Sequence, residues 1–278
     1  MVTLDKAYHI CKEITVNHYE NFPVASRLLP ATVRRHIYPI YAFARHADDL
    51  ADEAADREGL LAWRKMLHQS RQGESSHPIF IALADTMAKF DLPISLFDDL
   101  ITAFLQDLDK NRYQNMEELF GYCRNSANPV GRIILHLYNR KSEEIFSYSD
   151  YICTALQLTN FWQDVKVDIQ KDRIYIPGTY LEKYNVTEDD IVYHRFGENF
   201  QRLMKELTDF TEDLFKKGAP LLPHVPPRLR WQLRLTISGG LRVLDKIRKL
   251  EYNVLSSRPE LVKGDWAQIV FKSLLTNR

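Results

Sequence analysis

The chain has 278 residues, enough for one large domain or two, and its 37 basic side chains balance its 37 acidic ones. This balance excludes the strong positive field with which proteins attract nucleic acid, and a hydrophobic content of 45% with 12% aromatic residues excludes a disordered chain. The 10 glycines and 12 prolines are few for this length, which argues against a turn-rich β-structure.

Three cysteines, Cys11, Cys123 and Cys153, cannot all pair, and their spacing matches no zinc site, so we interpret them as reduced core thiols. Residues 1–20 carry several charges and no long apolar block, which excludes an ordinary secretory signal. The uncharged run at residues 151–163 is 13 residues long, too short for the roughly 20 that span a bilayer. We therefore expect a soluble, cytoplasmic protein.

Helical periodicity dominates the chain. Residues 31–53 place apolar side chains at a repeat of about 3.6, and residues 143–168 are apolar on nearly all sides in their middle, which predicts a central helix. Residues 173–178 break the pattern, and residues 218–227, with four prolines, read as a rigid connection. The predicted helices are 31–53, 60–71, 78–90, 93–108, 116–139 with a bend near Asn128 and Pro129, 143–168, 188–217, 227–255 and 259–275. We predict an all-α fold with a single domain over residues 1–278.

Two acidic clusters carry the most chemical information. Asp48 and Asp52 are four residues apart, as are Asp164 and Asp168, a spacing that places both carboxylates of a pair on one helix face. Like charges so placed repel, so the arrangement is either a solvated acidic face or a site for a divalent cation. Mg²⁺ fits better than zinc because it prefers oxygen ligands and commonly takes one or two carboxylates plus substrate phosphates. Further carboxylates that could join these faces are Asp49, Glu53 and Asp172.

Polar neighbours of both clusters allow two interpretations. Arg45 lies one turn before Asp48 and is either an ion-pair partner or a donor to phosphate oxygens. Asn160, one turn before Asp164, is either structural or an extra ligand. Aromatic residues beside the clusters, by default core residues, could instead stabilise the cation left when a diphosphate departs from an allylic carbon. The residues alone thus indicate metal-dependent diphosphate chemistry on an apolar substrate.

Four segments together resemble the squalene/phytoene synthase family of all-helical prenyl-transferring enzymes. They are residues 41–52 (YAFARHADDLAD), 121–131, 157–168 (QLTNFWQDVKVD) and 173–177 (RIYIP). The resemblance covers most of residues 18–178. It implies an isoprenoid synthase helical bundle in which the two aspartate motifs face each other across a central cavity.

The resemblance also implies a role for each site residue. Roughly two or three Mg²⁺ ions would hold the substrate diphosphate. The implied metal ligands are Asp48, Asp52, Asp164 and Asp168. The implied diphosphate-binding residues are Arg45, Gln157, Asn160 and Arg173. The implied residues of the reacting region are Tyr41, Tyr122 and Tyr175, and those of the cavity are Phe22 and Phe161. Arg258 and Lys263 loosely match a basic segment of the family.

Within the family, residues 20–26 and 160–164 look most like the hydroxysqualene synthases of bacterial hopanoid biosynthesis, which ionise presqualene diphosphate and capture the rearranged cation with water. Two departures from the broader pattern fit this branch: Glu20 and Asn21 stand where serines are common, and residues 126–128 (SAN) stand where Val-Ala-Gly is common. A late tyrosine is also replaced near residues 238–240. Asn128 is therefore a catalytic candidate that positions the water, or else it caps the bend before the adjacent proline.

Two other functions stay open. Within the family, the alternative is condensation of two farnesyl diphosphates to presqualene diphosphate, squalene or a carotenoid precursor. From another class, a non-catalytic helical lipid-binding protein is disfavoured because all four aspartates are intact. We expect an isoprenoid diphosphate substrate and neither nucleic acid nor NADPH, since no dinucleotide fingerprint is present. Peripheral contact with the inner face of the membrane and functional coupling to other hopanoid-pathway enzymes are compatible with this interpretation.

Overall fold

The computed structural model describes residues 2–17 and 30–275, in which regular structure is helical apart from one parallel bridge between Arg112 and Ile174. The predicted all-α class is therefore confirmed. No helix in the described part of the chain is both long and apolar enough to cross a membrane. The helices are α1 (Leu4–Asn17), α2 (Ala31–Asp52), α3 (Arg57–Arg71), α4 (Pro78–Phe90), α5 (Ser95–Asp109), α6 (Met116–Ser126), α7 (Asn128–Leu137), α8 (Glu143–Asp168), α9 (Gly178–Lys183), α10 (Glu188–Val192), α11 (Glu198–Gly218), α12 (Pro227–Lys249) and α13 (Lys263–Leu275).

Contacts group the chain into two compact units, Met1–Asp109 with Pro129–Lys141, and Lys110–Asn128 with Ser142–Arg278. The single domain over residues 1–278 stays a prediction. In the first unit α2 packs against α1, α3, α4 and α5. Its Phe43 ring lies in an aromatic core, with ring centroids 5.9 Å from Trp63, 6.0 Å from Phe80 and 5.5 Å from Phe97. This core holds the helix that ends in the first acidic cluster.

A buried polar network joins α1 to α2 and α4. The Tyr8 hydroxyl donates to Asp85 Oδ2 at 2.6 Å and lies 2.8 Å from both His36 Nδ1 and Thr86 Oγ1. Burial raises the pKa of Tyr8 and lowers that of His36, so both are neutral near pH 7. Because each buried polar atom has a partner here, the network stabilises the position of α1 rather than costing stability.

In the second unit α8 packs against α6, α11 and α12. Two glycines allow the close approach to α8. A Cβ at Gly218 would lie 2.5 Å from Ile152 Cγ1, and one at Gly240 would lie 3.2 Å from Leu156 Cδ2 and, on α11, 2.5 Å from Phe215 Cζ. The side chain of Ser142 caps the start of α8 by accepting from a backbone N–H of the first turn, where two glutamates also favour the helix N-terminus. The predicted 143–168 helix is confirmed to its ends.

Several predicted boundaries are wrong, and residues with a left-handed backbone account for two of them. Residues 188–217 form two helices, α10 and α11, separated where His194 adopts a left-handed φ of 53°. The predicted 227–255 helix ends at Lys249, since Glu251 and Tyr252 have φ values of 52° and 67°. Residues 116–139 divide at Ala127 into α6 and α7, close to the predicted bend, and the last helix begins at Lys263 rather than at residue 259. The prediction did not include α1 or α9.

Candidate active site

The first acidic cluster lies at the C-terminal end of α2. Arg45 Nη2 is 2.5 Å from Asp49 Oδ1 and 3.3 Å from Glu53 Oε1, and Arg45 Nη1 is 3.4 Å from Asp48 Oδ2. The ion-pair interpretation of Arg45 therefore holds in this state, and its contact with phosphate stays a prediction. Asp49 and Glu53 neutralise this guanidinium. Tyr41, one turn earlier, is buried, and burial raises the pKa of its hydroxyl.

The second acidic cluster is on the last turns of α8. Burial, followed by the charge of Asp164, raises the pKa of Asp168 from 3.8 to about 7, although Arg173, Lys171 and Arg258 act in the opposite direction. Arg258 grips Asp164 with two contacts, Nε to Oδ1 at 2.5 Å and Nη2 to Oδ2 at 3.2 Å. The repulsion predicted for this pair is therefore present in the structure, beside three cationic side chains.

The predicted residues Tyr122, Phe161 and Tyr175 lie in one buried aromatic cluster of the second unit. Phe161 stacks on Tyr175 with ring centroids 3.8 Å apart and planes at 10°, and Tyr122 lies 5.9 Å from Phe161 and 6.1 Å from Tyr175. Tyr113 completes the cluster, 5.7 Å from Tyr175. Tyr113 was missed by sequence reasoning because no motif surrounds it. Phe161 is one turn before Asp164, so aromatic faces and carboxylates adjoin on α8.

Backbone pairing brings Tyr113 to this cluster. The amide of Ile174 donates to Asn111 O at 3.0 Å, and that of Gly178 donates to Tyr113 O at 2.9 Å. Asp172, in a left-handed conformation with φ of 54°, reverses the chain after α8. Its carboxylate accepts from Arg112 Nη2 and from the Asn111 side chain, each at 2.8 Å. Asp172 therefore holds the loop in place, where the sequence had suggested a further carboxylate for the metal site.

Asn128 is buried at the start of α7, and its Oδ1 accepts from Thr154 Oγ1 at 3.0 Å. This contact fixes which way the carboxamide faces. Gln157 is half-buried and Asn160 is exposed on the next turns of α8. The roles predicted for these three residues, and for Arg173, stay predictions. Phe22, the other predicted cavity residue, lies outside the described residues.

A short segment, residues 256–260, lies against the last turns of α8 and carries Arg258. Gln163 Nε2 donates to Pro259 O at 2.6 Å, and Lys166 Nζ donates to Ser256 O at 2.7 Å. Arg258 Nη1 also contacts Glu260 Oε1 at 3.0 Å. Backbone carbonyls on both sides of Arg258 are thus bound by side chains that flank Asp164 in sequence.

Comparison with known proteins places this geometry in a family. The model of squalene/phytoene synthases matches residues 15–265. The chain belongs to the squalene/phytoene synthase family. It is 40% identical over 205 residues to a hydroxysqualene synthase of Zymomonas mobilis, covering 72% of this chain and 69% of that protein. It is 28% identical to a phytoene synthase of Arthrospira platensis, covering 92% and 88%. The crystal structure of squalene synthase HpnC from Alicyclobacillus acidocaldarius, 40% identical, superimposes with a TM-score of 0.87 over 90% of this chain and 96% of that one.

Family membership confirms the predicted isoprenoid synthase fold and makes the chain an enzyme. It also confirms the family to which the four motif segments pointed. The relatives bear the names of enzymes with different products, hydroxysqualene in one case and phytoene in another. Family membership therefore does not determine which of the family's reactions this enzyme catalyses, and the residues of the site must be used to distinguish them.

Proposed function

We propose that the chain ionises presqualene diphosphate with Mg²⁺ and captures the rearranged cation with water, giving hydroxysqualene and diphosphate. One observation carries this proposal. On the same stretch of α8, the carboxylates of Asp164 and Asp168, which repel each other, lie next to a buried aromatic cluster. The pair suits the charged end of the substrate and the cluster suits its apolar, cationic part. The 40% identity to a hydroxysqualene synthase over 205 residues supports this choice of product.

The residues present fit a magnesium ion. Asp168 holds its proton to a pKa of about 7 because burial and Asp164 disfavour its charge, and a bound divalent cation would reverse that preference. All the acidic donors are oxygen atoms, as Mg²⁺ prefers. In the part of the chain that the structure describes, no group of three or more His, Cys, Asp or Glu side chains is arranged to hold a metal ion. Mg²⁺ commonly needs only one or two carboxylates, with phosphate oxygens and water as its other ligands.

We assign the steps to the chain's own residues. Asp48, Asp52, Asp164 and Asp168 would hold the metal, which would supply positive charge to neutralise the departing diphosphate. Guanidinium donors bind the phosphate oxygens in a bidentate manner as the carbon–oxygen bond breaks. These donors are Arg45 and Arg173, with the amides of Gln157 and Asn160 beside them.

The aromatic residues act on the carbon skeleton. The faces of Tyr122, Phe161 and Tyr175 stabilise the cation by their quadrupoles while their burial keeps bulk water away. Asn128 orients the one water that adds to the cation, and the proton this water then loses passes to the released diphosphate. Because Thr154 donates to Asn128 Oδ1, the amide nitrogen is left to donate to that water.

The test is product analysis with presqualene diphosphate or farnesyl diphosphate as sole substrate, with Mg²⁺ and with or without NADPH. We expect hydroxysqualene from presqualene diphosphate, at a rate independent of NADPH and abolished by EDTA. Asp164→Asn should reduce turnover by about 100-fold, while Asp213→Asn, an exposed carboxylate on α11, should have no effect. Turnover of farnesyl diphosphate but not of presqualene diphosphate would refute the proposal.

The second candidate is condensation of two farnesyl diphosphates. It is favoured by the phytoene synthase of Arthrospira platensis, to which the similarity extends over 92% of this chain, more than the 72% covered by the hydroxysqualene synthase. The same assay decides between the two, since only condensation consumes farnesyl diphosphate. Peripheral contact with the membrane and coupling to other hopanoid-pathway enzymes stay predictions.

A further inference from the structure

We propose that Arg258 is an internal counter-cation that occupies Asp164 until a metal ion replaces it, and that Gln163 and Lys166 are positioning residues that keep the 256–260 segment in place during this exchange. The inference rests on the proposed binding of metal and diphosphate, but not on which product the enzyme makes.

The contacts and charges at Asp164 favour an exchange of the two cations over joint occupancy. Both oxygens of Asp164 face the same guanidinium, at 2.5 Å from Nε and 3.2 Å from Nη2. A Mg²⁺ ligand must present a lone pair at about 2.0–2.1 Å from the ion, and the fork of Arg258 engages a lone pair on each of the two oxygens of this carboxylate. A monovalent and a divalent cation at one carboxylate would also repel each other. Metal binding at Asp164 therefore displaces Arg258.

The displacement is easy because the pair is partly exposed. The Arg258 side chain is 41% exposed and that of Asp164 is 25% exposed, and solvent weakens ion pairs at such positions. Arg258 also has a second partner, Glu260, at 3.0 Å from Nη1. Glu260 keeps the guanidinium near the site after Asp164 has turned to the metal. The released donor is then available to the anion that accompanies the metal.

Two further contacts allow the Arg258 side chain to move while the backbone of residues 256–260 stays in place. Lys166 binds the carbonyl two residues before Arg258 and Gln163 binds the carbonyl one residue after it. Neither contact involves the guanidinium or Asp164, so both survive the exchange. The segment therefore stays on α8 while only the Arg258 side chain swings, which limits the conformational entropy lost when it next binds an anion.

The experiment measures two affinities on the full chain by calorimetry: Mg²⁺ alone, and inorganic diphosphate at saturating Mg²⁺. Arg258→Gln should tighten Mg²⁺ alone by about two- to fivefold, because the competing cation is gone. The same variant should weaken diphosphate by about tenfold, because a charge-assisted donor is lost. Arg258→Lys, which keeps the charge but not the fork, should fall between wild type and Arg258→Gln in both titrations. Arg35→Gln, which breaks an exposed ion pair with Asp5 on α1, is the matched control and should change neither affinity.

Lys166→Met and Gln163→Leu test the positioning role. Each should weaken diphosphate by about threefold, the loss expected for one anchoring hydrogen bond, with the melting temperature little changed. Unchanged diphosphate affinity in both variants would overturn this role.

The opposite signs for Arg258→Gln distinguish the proposal from a purely structural ion pair. Parallel weakening of Mg²⁺ and diphosphate would mean that Arg258 supports Asp164 and would overturn the inference, as would no change in either affinity. If Arg258→Gln does not fold, Arg258→Lys carries the same test with a smaller effect. Because inorganic diphosphate is the probe, opposite shifts in an enzyme that fails to turn over presqualene diphosphate would support this inference while refuting the proposed product.

Discussion

The raised pKa of Asp168 predicts a pH-dependent metal affinity. With a pKa of about 7 in place of 3.8, the carboxylate is about one-tenth ionised at pH 6 and about nine-tenths ionised at pH 8. Mg²⁺ binds the ionised form, so its apparent association constant should rise about tenfold between these pH values. An aspartate with an ordinary pKa would be fully ionised throughout and would give no such rise.

The same shift has a consequence for stability in the absence of metal. Because the folded protein holds this proton more tightly than the unfolded chain does, the contribution to stability is complete below about pH 4 and is lost as the pH rises through about 7. Metal binding offsets that loss. The increase in melting temperature produced by a fixed Mg²⁺ concentration should therefore be larger at pH 8 than at pH 6.

The assay measures Mg²⁺ affinity without diphosphate by calorimetric titration at pH 6, 7 and 8. Thermal melts are recorded at the same three pH values. Asp168→Asn should bind Mg²⁺ more weakly and show no dependence on pH. Asp213→Asn, which breaks a 2.9 Å contact with Lys216 on α11, should behave like wild type. A wild-type affinity that is constant from pH 6 to 8 would refute the reasoning, as would a tenfold rise that persists in Asp168→Asn.

Three further predictions concern stability. Gly240→Ala should lower the free energy of unfolding by about 1–3 kcal/mol because the new Cβ would lie 2.5 Å from Phe215 Cζ. The control Gly264→Ala, whose new Cβ would have nothing within 4 Å, should leave this free energy unchanged. Equal urea midpoints for the two variants would contradict the close approach of α12 to Phe215. Tyr8→Phe should cost about 1–3 kcal/mol in urea unfolding, because the part-buried carboxylate of Asp85 loses this donor while His36 and Thr86 keep their mutual contact. A loss below the measurement error would show that water replaces the hydroxyl. Asp265→Asn should lower the melting temperature at pH 7 and make it less sensitive to acid. Lys246 first, and then a backbone amide, hold the pKa of Asp265 well below its usual range, so the stability that this carboxylate provides above its unfolded pKa is lost as the pH falls. An acid transition that is unchanged in the variant would refute this role.

Local spacing predicted the parts of the site that lie within one helix. The i and i+4 positions of Asp164 and Asp168 and the apolar surroundings of α8 were enough to predict a carboxylate pair that repels beside aromatic rings. The ends of α8 were also predictable, because Ser142 is a favourable N-cap and the apolar pattern stops after Asp168.

Contacts between distant segments were not predictable in this way. Tyr113 reaches the aromatic cluster only because residues 111–114 pair with residues 174–179, and no local pattern signals that pairing. The ion pair of Arg258 with Asp164 joins residues that are 94 positions apart, so no local pattern predicts it. The division of residues 188–217 was missed because His194 can enter a left-handed conformation with little cost, and its sequence neighbours do not show whether it does so.

The glycine contacts of α8 determine which parts of the second unit can move during a catalytic cycle. A Cβ at Gly218 would lie 2.5 Å from Ile152 Cγ1 of α8, and one at Gly240 would lie 3.2 Å from Leu156 Cδ2 of α8, so α8 has little room to slide or tilt toward α11 or α12. The helix that carries Asp164 and Asp168 is therefore the stationary part of this unit. Adjustment to a substrate that loses its diphosphate and changes shape falls to side chains such as that of Arg258, so the rate of product release should respond to substitution of Arg258 more than to changes in the α8 core.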